Sequence, residues 1–367
     1  MIRPRIKPGH APQSRANGAL WFGPWVHGMA TELNDSSGVL AALCARLDGS
    51  RTREELVDDV VAAVGAQADR HDVAEVLDFL IGSGWIQDAD APIPPELTPR
   101  DLDRYRRGIE YLETVNLRPG TDGYRMQARL KASCVTVLGV GGVGSAVAAN
   151  LAASGIGRLR CVDQDVVELS NLSRQLLYTE ADIGRPKVEV AARRLRAANS
   201  DIEVTAVNLA LDGPETIAKA VAGSDAFVLC ADQPRGTIRM WANDAAYRTG
   251  IPFLNAGYTG PEFTMSTFIP GTTPCASCHL AQVHEQARAL GLRVEELDAG
   301  DNRVIASSAQ ISGHYLALET IHLLTGLPVQ TAGRQLQRYL IDYDQHRYTD
   351  AVARPDCPVG CGDLIRG

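Results

Sequence analysis

Gly139-Val140-Gly141-Gly142-Val143-Gly144 places four glycines directly after a short apolar run, Val135 to Leu138. Glycines at this spacing let the backbone turn tightly and approach a phosphate, and the helix that opens next offers free N–H groups to the anion. Asp163 closes the following apolar run, near the offset of about 20 residues at which an acid binds ribose hydroxyls. This pattern reads as a nucleotide site; alone, it equally suits a nicotinamide-dependent dehydrogenase. A second set of residues carries sulfur. Cys275-x-x-Cys278 and Cys357-x-x-x-Cys361 supply four thiolates, the number a tetrahedral structural zinc takes. Each pair follows a Gly/Pro-rich turn, so a shared Zn²⁺ would tie the C-terminal tail to the body. His279 stands beside the first pair as a substitute ligand. Cys44, Cys134, Cys161 and Cys230 sit singly in apolar segments and read as core filling.

An ordered series of polar residues follows the glycines: Asp163 and Asp165, then Ser170-Asn171-Leu172-Ser173-Arg174-Gln175, then Gly184-Arg185-Pro186-Lys187, then Cys230-Ala231-Asp232-Gln233. A dehydrogenase has no reason to order Asn, Arg, Gln and Lys in this way. On these motifs the chain, over residues 104 to 361, resembles the ubiquitin-activating (ThiF/MoeB-like) adenylyltransferase superfamily, which includes the molybdopterin-synthase and thiamine sulfur-carrier adenylyltransferases. The resemblance implies ATP and Mg²⁺ as cofactors, transfer of AMP to a carboxylate, and release of pyrophosphate. The residue types suit that chemistry. A carboxylate is a poor nucleophile and must approach an anionic α-phosphate, so positive groups have to offset the repulsion and hold the leaving group.

The resemblance also distributes roles. Gly139, Gly141, Gly142, Gly144, Asp163, Asp165, Asn171 and Gln175 bind the nucleotide, Asp163 through the ribose. Arg174 and Lys187 join Asn171 and Gln175 on the phosphates, and Asp232 holds Mg²⁺ near the α-phosphate. The family draws one arginine from the partner subunit of a homodimer; Arg104-Tyr105-Arg106-Arg107 matches that motif, and Arg107 takes the role. The second cysteine pair is one residue longer than the family's usual C-x-x-C. Thioester-forming members carry a catalytic cysteine between the first pair and the next helix. His284 to Ser308 contains none, so the adenylate is expected to be released or passed directly to a nitrogen or carbon nucleophile.

These residues need elements to hold them. Apolar strands at 135–138, 159–162, 202–207, 226–230 and 253–256 alternate with helices at 145–153, 187–198, 215–221 and 238–248. Such alternation specifies an α/β fold with a Rossmann-like, mostly parallel sheet and helices on both faces. The last third alternates as antiparallel strands do, at 263–269, 335–343 and 346–352, and extends that sheet. Residues 91–99 carry four prolines and read as a stiff linker. It separates a domain at 1–90 from a body at 100–367.

The small domain reads as a hairpin within Trp21–Leu33 plus three short helices, a winged-helix-like unit. Its second helix opens on the capping box Thr52-x-x-Glu55; the third carries Val73, Val76, Leu77, Leu80 and Ile81 and stops at Gly82. Residues 19–88, through Leu33-Asn34-Asp35-Ser36-Ser37, Leu47-Asp48-Gly49-Ser50-Arg51-Thr52 and Val73 to Trp85, resemble the PqqD-like peptide-recognition element of ribosomal natural-product pathways. There an extended leader peptide adds as a strand to the hairpin edge. The two-domain layout is similar to that of the peptide-adenylating enzymes of the microcin C and pantocin type. A precursor peptide held by its leader is then the expected substrate, and the activated carboxyl is its C-terminus or an Asp/Glu side chain. Two other functions fit parts of the sequence: adenylation of a ubiquitin-like sulfur carrier with a Gly-Gly tail, and a non-catalytic scaffold that presents a leader to a cyclodehydratase, which Arg3-Pro4-Arg5-Ile6-Lys7-Pro8 resembles.

Bulk properties remove other classes. The 367 residues carry a net charge of −8, and a nucleic-acid binder would be basic; the acidic Glu54, Glu55, Asp58 and Asp59 also oppose a DNA-binding winged helix. No apolar run reaches the ~18 residues of a membrane helix, and the basic start Arg3, Arg5, Lys7 lacks a signal-peptide core. The expectation is a cytoplasmic protein without nucleic-acid or membrane partners.

Overall fold

The computed structural model describes residues 3–23, 30–293 and 303–366. Packing divides the chain into two compact units, 1–128 and 129–367. The proline-rich stretch 91–99 lies within the first.

The first unit opens with strand β1 (Pro4–Ile6), followed by β2 (Gln13–Ser14), β3 (Leu20–Phe22) and β4 (Thr31–Leu33). Helices α1 (Val39–Cys44), α2 (Arg53–Val64) and α3 (Arg70–Gly82) and strand β5 (Ile86–Asp88) come next. Helices α4 (Pro99–Arg104), α5 (Arg106–Val115) and α6 (Gly123–Ala132) end it, α6 running across the boundary. Strands β2, β3 and β4 form an antiparallel sheet. Residues 24–29 of the expected hairpin lie outside the described residues.

The helix starts follow side-chain chemistry. Thr52 caps α2, its Oγ1 accepting from Glu55 N at 3.3 Å while the Glu55 carboxylate accepts from Thr52 N at 2.8 Å. Asp69 and Asp72 do the same for α3, Thr98 and Asp101 for α4. The last proline of the expected linker, Pro99, thus occupies the first turn of a helix, where its missing N–H costs nothing. The apolar stripes of α1–α3 close over Phe22, Leu43, Leu56, Leu77 and Trp85. One pairing carried no sequence signal: β1 runs antiparallel to β5, setting Arg5 opposite Gln87. Lys7, just beyond β1, is buried, and its Nζ donates to the Asn116 carbonyl at 2.7 Å.

The second unit is built on β6 (Cys134–Leu138), α7 (Gly142–Ala153), β7 (Arg158–Val162), α8 (Lys187–Ala198), β8 (Glu203–Val207), α9 (Pro214–Val221), β9 (Ala226–Leu229), α10 (Thr237–Thr249) and β10 (Phe253–Thr259). It continues with β11 (Glu262–Phe268), α11 (Ala276–Ala289), α12 (Ala306–Thr325), β12 (Arg334–Tyr339), β13 (His346–Asp350) and α13 (Cys361–Arg366). The eight strands lie in the order β13-β12-β11-β10-β9-β6-β7-β8. From β10 to β8 all neighbours are parallel; β11, β12 and β13 add as antiparallel strands. This is the expected Rossmann-like sheet. Every residue of β6 is buried, as a central strand covered on both faces requires. The expected strand 335–343 stops at Tyr339, because Ile341–Asp344 turn back toward β13. Helix α11 takes up His284–Ala289, part of the segment expected as a crossover loop; its residues 294–302 lie outside the described residues. No helix among the described residues is long and apolar enough to cross a membrane.

Candidate active site and cysteine cluster

Between the parallel strands β6 and β9 the order in which the chain adds strands to the sheet reverses. Beyond the carboxyl ends of such strands an open α/β sheet leaves a crevice. Here it is a cleft of about 670 Å³, within the range that holds a small ligand. Gly139, Gly141 and Gly142 line it, with Asp163, Asp165, Asn171, Arg174, Gln175, Lys187 and Asp232. Residues scattered over 94 positions of sequence, from Gly139 to Asp232, thus face one space.

The glycines act differently. Gly139 has φ +88°, and a Cβ there would come within 2.6 Å of Ala231 N. Gly144 does not line the cleft; a Cβ on it would lie 1.8 Å from the Gly139 carbonyl oxygen. Its role is to let α7 pack against the loop. Gly141 precedes the first residue of α7 and faces open space, a built Cβ meeting Gln175 Nε2 at an ordinary 3.6 Å. The first turn of α7 therefore points unblocked N–H groups at the cleft.

Asp163 is oriented by two backbone donors, Val140 N to Oδ2 at 2.8 Å and Asp165 N to Oδ1 at 2.9 Å. Burial raises its pKa above the ordinary carboxylate value, more than these bonds and the Lys187 ammonium offset. Lys187, the first residue of α8, is itself buried, and its Nζ meets Asp165 Oδ2 at 2.9 Å. Asn171 lies in a short 3₁₀ turn, its Oδ1 accepting from Glu168 N at 3.2 Å. That turn sets Arg174, whose Nη1 donates to the Ser170 carbonyl at 3.1 Å. Gln175 is buried, and its Oε1 has no hydrogen-bond partner among the described residues, so it is open to a donor in the cleft that it lines. Asp232, exposed beyond β9, stands across the cleft. Arg107 lies on α5 of the first unit and is exposed.

Three residues join the site without having been singled out in the sequence. Tyr258, on β10, lines the cleft beside Arg174; burial raises its phenol pKa, and Arg174 partly offsets the rise. Its place after Asn255-Ala256-Gly257 at the end of an apolar strand was the available signal. Tyr178 donates from its hydroxyl to the Val140 carbonyl at 2.7 Å and props the glycine loop. Gln310, in α12, donates to two carbonyls beside the cleft. Neither carried a local signal.

The two cysteine pairs meet within this unit. Cys275 Sγ lies 3.5 Å from Cys357 Sγ, and Cys278 Sγ 3.6 Å from Cys361 Sγ. All four sulfurs fall within 4.8 Å of one another. A zinc tetrahedron with bonds of ~2.3 Å has sulfur–sulfur edges of about 3.8 Å; the two closest pairs are near that spacing, and small side-chain adjustments within the 4.8 Å cluster would complete the set. The extra residue in Cys357-x-x-x-Cys361 is absorbed by a turn closed by Gly360 N on the Cys357 carbonyl at 3.0 Å. Backbone donors support two sulfurs, Cys278 N on Cys275 and Arg354 N on Cys278, each at 3.4 Å. His279 is not among the clustered groups, so the substitute-ligand reading gives way to four cysteines.

The ThiF family model matches residues 114–359. The vegetative HesA protein of Trichormus variabilis is 32% identical over 273 residues, 72% of this chain and 91% of its own length. The sulfur carrier protein ThiS adenylyltransferase of Bacillus subtilis is 39% identical over 156 residues, 42% of this chain; the chain spans about half (46%) of that relative. Among solved structures, E. coli MccB with AMPCPP and MccA superposes with a TM-score of 0.75 at 21% identity, over 98% of this chain and 99% of the other, a likeness of fold.

Proposed function

The chain belongs to the ThiF family, and we propose that this ATP-dependent adenylyltransferase puts AMP on a carboxyl group of a ribosomally made precursor peptide and releases pyrophosphate. The observation that carries the chemistry is the convergence of Asp163, Arg174, Lys187 and Asp232 on one cleft at the mouth of a glycine loop. Asp163 accepts from the ribose hydroxyls. Asn171, Arg174, Gln175, Lys187 and the α7 N-terminus hold the phosphates, and Asp232 carries Mg²⁺ beside the α-phosphate. Positive groups concentrated there lower the cost of bringing a carboxylate to a phosphate and stabilise the departing pyrophosphate. Arg107 of a second copy completes the phosphate site in a homodimer. The four cysteines hold a structural Zn²⁺ away from the chemistry.

The peptide acceptor is supported by the residues ahead of the family match. The ThiF model begins at 114, yet the solved structures that span 98% of this chain include MccB with MccA bound. In this reading residues 1–90 hold the leader, 91–99 link, and 100–367 form the adenylating body. A ubiquitin-like sulfur carrier is the second reading, favoured by relatives such as the ThiS adenylyltransferase. The test is ATP–pyrophosphate exchange with the full chain, Mg²⁺ and either the peptide encoded beside it or a Gly-Gly-tailed carrier. Peptide-dependent exchange is expected. Exchange with the carrier alone favours the second reading, and tight leader binding without exchange would show a scaffold.

A further inference from the structure

Three segments meet at Gly142. Its carbonyl accepts from Ser145 Oγ at 3.2 Å and from Gln310 Nε2 at 3.4 Å. The same Gln310 nitrogen donates to the Arg174 carbonyl at 3.3 Å. A Cβ on Gly142 would sit 3.1 Å from Ala309 Cβ and 3.6 Å from Arg174 Cγ, so the phosphate loop, the arginine turn and α12 are in van der Waals contact there. Helix α12 is a firm support. A Cβ at Gly313 would come 2.5 Å from Ala146 Cβ and 2.7 Å from the Val143 carbonyl oxygen, which puts α12 backbone directly on α7. Buried Ser308 and Ser312 bond back along the helix itself, leaving the Gln310 carboxamide to reach outward.

We infer that Gln310 is a positioning residue: through one carboxamide it pins the Arg174 main chain to the first turn of α7 and so fixes where the guanidinium stands in the cleft. Gln310 does not itself line the cleft, so its effect on the reaction runs through Arg174. A glutamine suits the task because its amide nitrogen has two N–H groups and both acceptors are carbonyl oxygens. Glutamate would set carboxylate oxygens against those carbonyls.

The inference rests on the adenylation reading for its kinetic arm only. Gln310→Met keeps length and removes the donors; Gln310→Glu keeps shape and reverses them. Both would be compared with Arg174→Ala and the double variant Gln310→Met/Arg174→Ala, in pyrophosphate exchange and in ATP binding by calorimetry, with thermal melts alongside. Gln310→Met is expected to lower kcat about tenfold, to weaken ATP binding several-fold, and to melt close to the parent. Gln310→Glu should lose at least as much. In the Arg174→Ala background Gln310→Met should change either readout by less than about twofold, since residues that act as a unit are non-additive. Additive losses would overturn the inference, as would a Gln310→Met protein with parental kcat and ATP affinity. Absence of exchange in the parent itself would count against the adenylation reading, and the binding cycle would still decide the role of Gln310.

Discussion

Lys187 is tied to Asp165 twice: Nζ donates to Oδ2 at 2.9 Å, and the backbone N donates to the Asp165 carbonyl at 2.9 Å. The lysine side chain is 6% exposed and the aspartate 57%. One end of the pair is thus anchored in protein and the other faces the cleft and water, so the ammonium is held in place by the protein itself.

Lys187→Ala should cut kcat/KM for exchange by about 100-fold or more, the scale seen when one preorganised charge is removed from a transition state. Asp165→Asn keeps the backbone bond and loses the charge. Because water screens the exposed aspartate, it should cost about 1 kcal/mol of stability, read as a lower melting temperature that saturating ATP restores by giving the ammonium a new partner. A Lys187→Ala protein with parental kinetics would remove Lys187 from the phosphate site.

Asp163 gives the pH dependence. Its pKa is raised by burial, and in the proposed role it is the ionised carboxylate that accepts from ribose hydroxyls while also accepting from Val140 N and Asp165 N. Protonation therefore begins at a higher pH than for an ordinary aspartate. KM for ATP should rise on acidification from a pH above the usual carboxylate range. Asp163→Asn should show a high KM that stays flat across the same range. A parental KM that does not move while the protein stays folded would contradict this.

The cysteine cluster predicts one zinc per chain by elemental analysis. Burial raises the thiol pKa of Cys275, and that of Cys361 to about 12, whereas burial of the Cys357 sulfur is outweighed by hydrogen bonds to it, which lower its pKa to about 7. The metal must displace protons from the raised thiols, and its affinity should fall as pH falls. Cys361→Ser should lose the metal and lower the melting temperature markedly, at a cost of several kcal/mol. The protein that remains folded should still catalyse exchange, because none of these four cysteines lines the glycine-loop cleft.

How much of this was legible in the sequence depended on how local the cause is. Gly139 and Gly144 were readable because tight turns and close packing leave few residue types acceptable. The Thr52–Glu55 box and the alternation from Val135 to Ala256 were readable for the same reason: each is set by neighbours in sequence. Strand β1 was not. Arg5 and Lys7 look like a solvated basic start, and only pairing with β5 and the distant Asn116 carbonyl gives Lys7 a buried partner. Gln310 was equally silent, since its two acceptors are Gly142 and Arg174, 168 and 136 residues away.

Asp232 separates the two proposed tasks of the chain. It faces the cleft from the end of β9, whereas leader recognition is assigned to residues 1–90. Asp232→Ala should abolish pyrophosphate exchange and leave leader affinity, measured by fluorescence anisotropy, unchanged. Loss of both together would mean that the division of labour is drawn in the wrong place.

Two glycines of the loop between β6 and α7 should respond oppositely to the same added methyl group. At Gly144 the new Cβ would lie 1.8 Å from the Gly139 carbonyl oxygen and 3.1 Å from Cys230 Cβ. The obstructing atom is backbone, which cannot rotate away, so α7 or the loop must shift. Gly144→Ala should destabilise the protein by about 3 kcal/mol or more, as overpacking of a rigid site does, and lower the melting temperature whether or not nucleotide is present. At Gly141 the nearest atom to a new Cβ is Gln175 Nε2 at 3.6 Å, and φ is negative, −73°, so the added methyl meets no obstructing atom. Its methyl would project into the space where, in the proposed binding mode, phosphate oxygens approach the first turn of α7. Gly141→Ala should therefore fold with a melting temperature near that of the parent, yet bind ATP at least tenfold more weakly by calorimetry. If Gly141→Ala bound ATP normally, the phosphates would have to sit elsewhere in the cleft, and the N-terminus of α7 would not be their anchor.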